Sequence, residues 1–169
     1  MSTSVKLTAD MRRIVDEQRL GFVASVCEDG TPNLSPKGTT TVWDDEHLVF
    51  ADVCSPGTIA NLGHHPVVEI NVVDPVSRRG YRFKGPATLH QRGPVFEQVL
   101  AFYRRRGVES PIRGIVLVRV ERALPLFSPA YDQGRGEEEI RAIWLRYWTA
   151  LYGLPEAPGE RAAEGGEGT

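Results

Sequence analysis

Tight-turn signals join successive apolar segments of this chain, and this feature constrains the fold more than any other. Asp29-Gly30 follows the apolar segment at 20–27, and an acidic turn at 44–46 precedes the strand-like segment 47–52. Strands joined by short turns pair antiparallel, whereas parallel strands need a long crossover. We therefore predict an α+β protein whose mainly antiparallel sheet closes into a barrel.

Hydrophobic periodicity predicts four helices and three further strands. The helices are expected at about 8–19, 56–63, 94–106 and 136–152, and the strands at 67–73, 80–89 and 115–120, with a loop at 125–131. We treat residues 1–153 as a single domain. Residues 154–169 are rich in Pro, Gly, Glu and Ala without periodicity, which predicts a disordered polar tail.

Composition excludes several classes of function. The 169 residues carry 20 basic and 22 acidic side chains, a net charge of −2, which offers no broad basic face for nucleic acid. No apolar run is long enough to span a bilayer, and no apolar leader starts the chain, so we expect a cytoplasmic protein without membrane contact. Cys27 and Cys54 lack the spacing of a metal site, and no metal is expected.

The segment Pro32–Thr41 has the composition of an anion site. We predict that it forms one strand, in which Lys37 supplies a charge, Ser35 and the threonines supply hydroxyl groups, and Gly38 lets backbone amides approach a ligand. A hairpin turn at 44–45 would place Lys37 opposite Asp52. An ordinary cross-strand ion pair would explain the same two residues.

A helix start follows Asp52. Ser55 is expected as the N-cap and Pro56 as the first helical residue, so that free amides and the helix dipole face the same corner. A cap without any ligand is the alternative explanation. Together, the strand and the helix start predict a phosphate site.

The order of these motifs resembles the pyridoxamine 5′-phosphate oxidase-like family of FMN-binding split barrels. The resemblance is carried by Phe22–Val26, Asp29–Asn33, Ser35–Gly38, Leu48–Asp52, Thr58–Leu62 and Arg79–Ala87. It implies a split-barrel homodimer that holds FMN at the subunit interface and binds a small-molecule substrate.

The resemblance also implies which residues contact the cofactor. By position they are Ser35, Pro36, Lys37, Gly38 and Thr39 of the first strand, Ala51 and Asp52 of the next, and Ser55, Thr58 and Asn61 of the helix. Arg79 and Arg82 are candidates near the cofactor or substrate, although a solvated cation is the simpler explanation. Ser128 and Tyr131 are candidates in a loop that closes over the flavin from the other subunit or packs on its own barrel.

Two departures from the vitamin B6 oxidases limit the expected activity. Pro56-Gly57-Thr58 stands where those enzymes have two basic residues, and the chain has no C-terminal segment rich in Arg, His and Trp. We therefore expect an FMN-dependent oxidoreductase that exchanges hydride with a small organic substrate other than the B6 vitamers, with no residue assigned as catalytic. The alternatives are a reductase of the same fold that uses F420, and a flavin- or haem-binding carrier or sensor without turnover.

Overall fold

The computed structural model describes residues 4–155, so the tail predicted at 154–169 lies almost entirely outside the described residues. The chain divides into two compact units. The first contains the chain up to Asp74 and Arg79–Phe127; the second contains Pro75–Arg78 and the chain from Ser128 onward. Treatment of residues 1–153 as a single domain stays a prediction.

The first unit is an eight-stranded antiparallel sheet with three helices. In chain order its elements are α1 (Ala9–Gln18), β1 (Gly21–Val26), β2 (Pro32–Lys37), β3 (Thr41–Val42), β4 (His47–Asp52), α2 (Pro56–His64), β5 (Val67–Asp74), β6 (Arg79–His90), α3 (Pro94–Arg105), β7 (Gly114–Arg119) and β8 (Arg122–Phe127). The strand order is β2-β1-β5-β6-β7-β4-β3, and β8 pairs with the first half of β6.

The two ends of this strand order are neighbours in the chain, which forces the sheet to curl. Strands β2 and β3 lie at opposite ends, yet only residues 38–40 connect them. Four Cα steps span at most about 15 Å, so the two edges must approach each other here. This closure point, residues 37–41, is called the seam below. The predicted antiparallel split barrel is confirmed.

Alternating burial explains which faces the strands turn inward. On β6, Phe83 and Gly85 are buried whereas Arg82 and Lys84 are exposed, as their spacing predicts. Gly85 lies where β6 leaves β8 and joins β7, and a Cβ there would lie 1.8 Å from the Arg119 carbonyl oxygen. Only glycine therefore permits this close backbone crossing.

Two sequence-based expectations about strands are wrong. The segment Pro32–Thr41 is not one strand, because the chain turns at 38–40 and both the amide and the hydroxyl of Thr40 donate to the Lys37 carbonyl. The segment 125–131 is not all loop, because Pro125 to Phe127 continue β8. A proline is compatible with this strand because β8 pairs on one side only.

The second unit is built on α4 (Glu137–Tyr152) and the loop before it. The Tyr131 hydroxyl donates to the Ser77 carbonyl at 2.7 Å, the Trp148 indole donates to the Pro75 carbonyl at 3.3 Å, and the Arg78 guanidinium lies 4.0 Å from the ring centre of Trp144. Along α4, each aromatic ring contacts the next in the series Trp144, Tyr147, Trp148 and Tyr152. Among the residues that the structure describes, no helix has the length and apolarity needed to cross a membrane.

Candidate functional site

A polar corner forms where β2 ends at the seam and α2 begins. The Lys37 ammonium donates to the Ser35 hydroxyl at 2.6 Å and to the Ser55 hydroxyl at 2.8 Å. The Ser55 amide in turn donates to a carboxylate oxygen of Asp52 at 2.9 Å. The structure therefore brings together Ser35, Lys37, Asp52 and Ser55, which we call the seam corner.

The predicted register that led to this corner is wrong, although the residues that it was expected to bring together do lie close to one another. Lys37 faces Gly21 of β1, and Asp52 faces Gly114 of β7, so the two are not hairpin partners. They approach because the barrel closes at the seam rather than because one hairpin aligns them. In the hairpin that does form, Thr41 pairs with Val49.

Lys37 is an unusual buried cation. Only 5% of the residue is exposed, and its ammonium contacts hydroxyl oxygens. Burial lowers the pKa of Lys37 below the ordinary value of a lysine, and the nearby charge of Asp52 partly opposes this shift. An anion that reached the ammonium would therefore gain a charge-assisted hydrogen bond in a poorly solvated position.

The N-terminus of α2 adds backbone donors to the seam corner. Ser55 occupies the N-cap position and Pro56 the first helical position, as predicted, but the Ser55 side chain makes no capping hydrogen bond. Its hydroxyl accepts from Lys37 instead. The amides of Gly57 and Thr58, in the first turn, therefore have neither an intrahelical acceptor nor a side-chain cap.

Two glycines keep the surface of this corner open. A Cβ at Gly38 or at Gly57 would meet no atom within 4 Å, and neither residue has a positive φ. Internal packing and backbone conformation therefore do not require glycine at either position. The absence of both side chains leaves the backbone amides accessible to a ligand.

The seam turn is fixed from two sides by groups that the sequence did not identify. The Tyr103 hydroxyl of α3 donates to the Thr39 carbonyl at 2.8 Å, and the Thr39 hydroxyl accepts from the Ala51 amide at 2.9 Å. Arg106 donates to the Thr41 hydroxyl at 2.6 Å. Helical spacing predicts that Tyr103 is buried, but no local signal indicates that its hydroxyl holds the seam.

Thr58 and Asn61 lie on the buried face of α2. Thr58 is 2% exposed, and the Asn61 amide donates to the Ser25 hydroxyl at 2.9 Å and contacts the Cys27 sulfur at 3.6 Å. Asn33 of β2 donates to the same hydroxyl at 3.1 Å. The Asn61 side chain therefore bonds to β1, whereas the seam corner lies at the first turn of the helix.

The remaining predicted residues lie elsewhere. Arg82 stands in the same cross-strand row as Pro36, three strand spacings or about 14 Å away in a flat sheet. It pairs with Glu69 at 3.1 Å, and Arg79 lies 3.7 Å from Asp10. Ser128 and Tyr131 belong to the second unit.

An antiparallel barrel that closes in this way has the fold of the FMN-binding split-barrel proteins. The family model described as pyridoxamine 5′-phosphate oxidase matches residues 7–127. The chain therefore belongs to the pyridoxamine 5′-phosphate oxidase family, as its motifs predict. No curated protein sequence matches it.

One solved structure supports the same assignment, and two more share the fold. HupZ from Group A Streptococcus is 30% identical, with a TM-score of 0.65 over 72% of this chain and 94% of that chain. An FMN-binding protein from Syntrophomonas wolfei is 16% identical, with a TM-score of 0.61 over 70% of this chain and 85% of that chain. An F420 reductase is 22% identical, with a TM-score of 0.54 over 69% of this chain and 98% of that chain. At these lower identities the last two show the fold alone.

Proposed function

We propose that this protein is an FMN-dependent oxidoreductase that binds the cofactor phosphate in the seam corner. The observation that carries the proposal is the buried Lys37 ammonium beside the uncapped N-terminus of α2. A cation, two hydroxyl groups and two backbone amides form a donor set suited to a phosphate. This donor set fits the phosphate group of FMN.

The residues of the chain bind and orient the cofactor in this proposal. Lys37 and the hydroxyl of Ser55 hold the phosphate, while the amides of Gly57 and Thr58 take the place of the basic side chains that the helix start lacks. Tyr103 holds the Thr39 backbone in place beside the cofactor. When bound, FMN supplies the hydride chemistry for a small organic substrate.

Family membership does not decide between FMN and F420 or between an enzyme and a carrier. Both cofactors carry a phosphate, so the seam corner suits either one. We favour FMN because a mononucleotide needs no groove beyond the corner for a longer tail. We also propose that the protein acts in the cytoplasm, where Cys27 and Cys54, both free thiols, would stay reduced.

The first experiment is an absorption spectrum of the purified protein, followed by heat release and mass analysis of any ligand. Flavin bands with released FMN support the proposal. If the purified protein is colourless and binds F420 but not FMN, then the proposed cofactor is F420 rather than FMN. Bound flavin without turnover, with any reductant and substrate tried, would favour the carrier or sensor.

A matched pair of variants then tests the location. Gly38→Val adds a side chain in open space at the seam, and Gly63→Val adds the same side chain in open space at the far end of α2. We expect both variants to keep the wild-type melting temperature within a few degrees. Only Gly38→Val should weaken FMN binding, by about 10-fold or more, because it narrows the approach to the corner. If the two variants bind FMN with equal affinity, the FMN phosphate does not bind at the seam corner.

A further inference from the structure

Two cations face each other on the outer surface of the sheet, far from the interior where Lys37 lies. Lys84 of β6 and Arg122 of β8 are direct cross-strand partners, and both are exposed. Like charges in this arrangement destabilise a sheet. The pair therefore needs an explanation that the fold itself does not supply.

The acidic neighbours of these two cations form their ion pairs with other residues. Glu69 faces Lys84 from β5 but forms its ion pair with Arg82 at 3.1 Å, and Glu121 pairs with Arg119 at 2.6 Å. Within residues 4–155, neither the Lys84 nor the Arg122 side chain has an ion-pair or hydrogen-bond partner. The outer face therefore keeps two unpaired positive charges side by side.

Two hollows meet at Lys84. One, of about 390 Å³, has mainly apolar walls that include Ala24, Val26, Pro66 and Val67. The other, of about 460 Å³, contains Arg122 together with the Arg119–Glu121 pair. An apolar hollow therefore adjoins the unpaired cations, and we call this combined surface the outer groove.

We propose that the outer groove binds a small organic acid with an apolar body. Its carboxylate would lie between Lys84 and Arg122, and its body would cover the apolar wall at Ala24, Val26 and Val67. The ligand would relieve the repulsion between the two cations, and apolar burial would add affinity. The proposal does not rest on FMN, because Lys84 and Arg122 belong to β6 and β8, whereas the seam corner is built from β2, β4 and the start of α2.

The test uses decanoate as the probe and decanol as its uncharged counterpart, with binding measured by calorimetry on the full chain. Wild-type protein should bind decanoate more tightly than decanol. Lys84→Gln and Arg122→Gln should each weaken decanoate binding by about 10-fold, through loss of one charge-assisted contact. Arg92→Gln, which removes an exposed cation from a loop, is the matched control and should leave the affinity unchanged.

A second measurement separates a binding site from an ordinary surface. Without ligand, Lys84→Gln and Arg122→Gln should raise the melting temperature by about 1–3 °C, because each removes a like-charge contact. Wild-type protein that fails to bind decanoate would overturn the proposal, as would variants that bind as tightly as Arg92→Gln. Variants that change only the oligomeric state would overturn it too, and would assign the two cations to a contact between copies of the chain.

Discussion

Lys37 illustrates how one buried residue can be held ready for a ligand. Its ammonium is too enclosed to be solvated as a surface lysine is, and its direct partners are neutral hydroxyl groups of Ser35 and Ser55. Such partners satisfy hydrogen bonds but do not neutralise charge, and Asp52 only partly offsets the burial. An anion at the seam corner would supply the missing charge.

Replacement of Lys37 tests whether its charge binds the FMN phosphate. Lys37→Met keeps the length of the side chain but removes its charge, and it should weaken FMN binding by about 1–3 kcal/mol. Titration of apoprotein with FMN measures the change. The exposed Lys6 provides the matched control, Lys6→Met, which should bind as wild type does.

The same lysine predicts an alkaline pH dependence. Burial lowers the pKa of Lys37 below 10.5, so the folded apoprotein loses this proton at a lower pH than the unfolded chain does. As pH rises through the lowered pKa, FMN affinity should fall, while the contribution of this group to folding stability should rise. Binding that weakens only when the protein unfolds, or an identical pH profile in Lys37→Met, would contradict the assignment.

At the scale of helices and strands, the sequence predicted those elements whose limits are set by local signals. Helix α1, strand β4 and the start of α2 all follow from capping, turn and periodicity patterns. The break at 38–40 was not predicted, because the threonines that follow Gly38 are good strand formers and the turn depends on bonds to the Lys37 carbonyl. Strand β8 was missed because Pro125 is typical of loops.

The residues of the seam corner were predicted because they lie within 21 positions of one another, at 35–55. Their true arrangement depends on pairing of β2 with β1 and of β4 with β7, which no local pattern encodes. Tyr103 shows the same limit, since it reaches Thr39 across 64 positions of the chain. Local chemistry was therefore visible in the sequence, whereas the closure that assembles it was not.

A buried polar layer attaches α2 to the sheet, and this gives a prediction at the same scale. The Ser25 hydroxyl accepts from the amides of both Asn33 and Asn61. Ser25→Ala should lower the free energy of unfolding by about 1–3 kcal/mol, because it removes the oxygen acceptor shared by one buried and one partly buried amide donor. Denaturant titration measures the loss, with Ser110→Ala at an exposed site as the control.

A second substitution identifies the cause of that loss. In the double variant Ser25→Ala/Asn61→Leu, one of the two unpaired donors is gone, so the additional cost of Asn61→Leu should be smaller than in the wild-type background. Strictly additive losses would mean that the hydroxyl does not couple α2 to β1.

At the scale of the whole molecule, the outer face of the sheet offers an apolar surface for a second copy. Leu34 is 66% exposed and Phe22 is 41% exposed, and both lie on the outer face of β1 and β2 near Pro36. Strand β2 is also the edge beside the seam corner. We propose that two copies associate through this patch and that the partner copy covers the cofactor.

A single charged side chain placed in the patch should prevent the two copies from associating. Leu34→Glu should convert a dimer to a monomer and weaken FMN binding in parallel, because a carboxylate buried in an apolar contact is costly. Leu151→Glu, at a comparably exposed position on α4, is the control and should remain dimeric. Light scattering measures the mass of each protein, with and without FMN.

A wild-type monomer with full FMN affinity would show that one chain completes the site. A monomeric Leu151→Glu beside a dimeric Leu34→Glu would move the interface to α4, where the exposed Leu145, Tyr147 and Tyr152 would then form the contact.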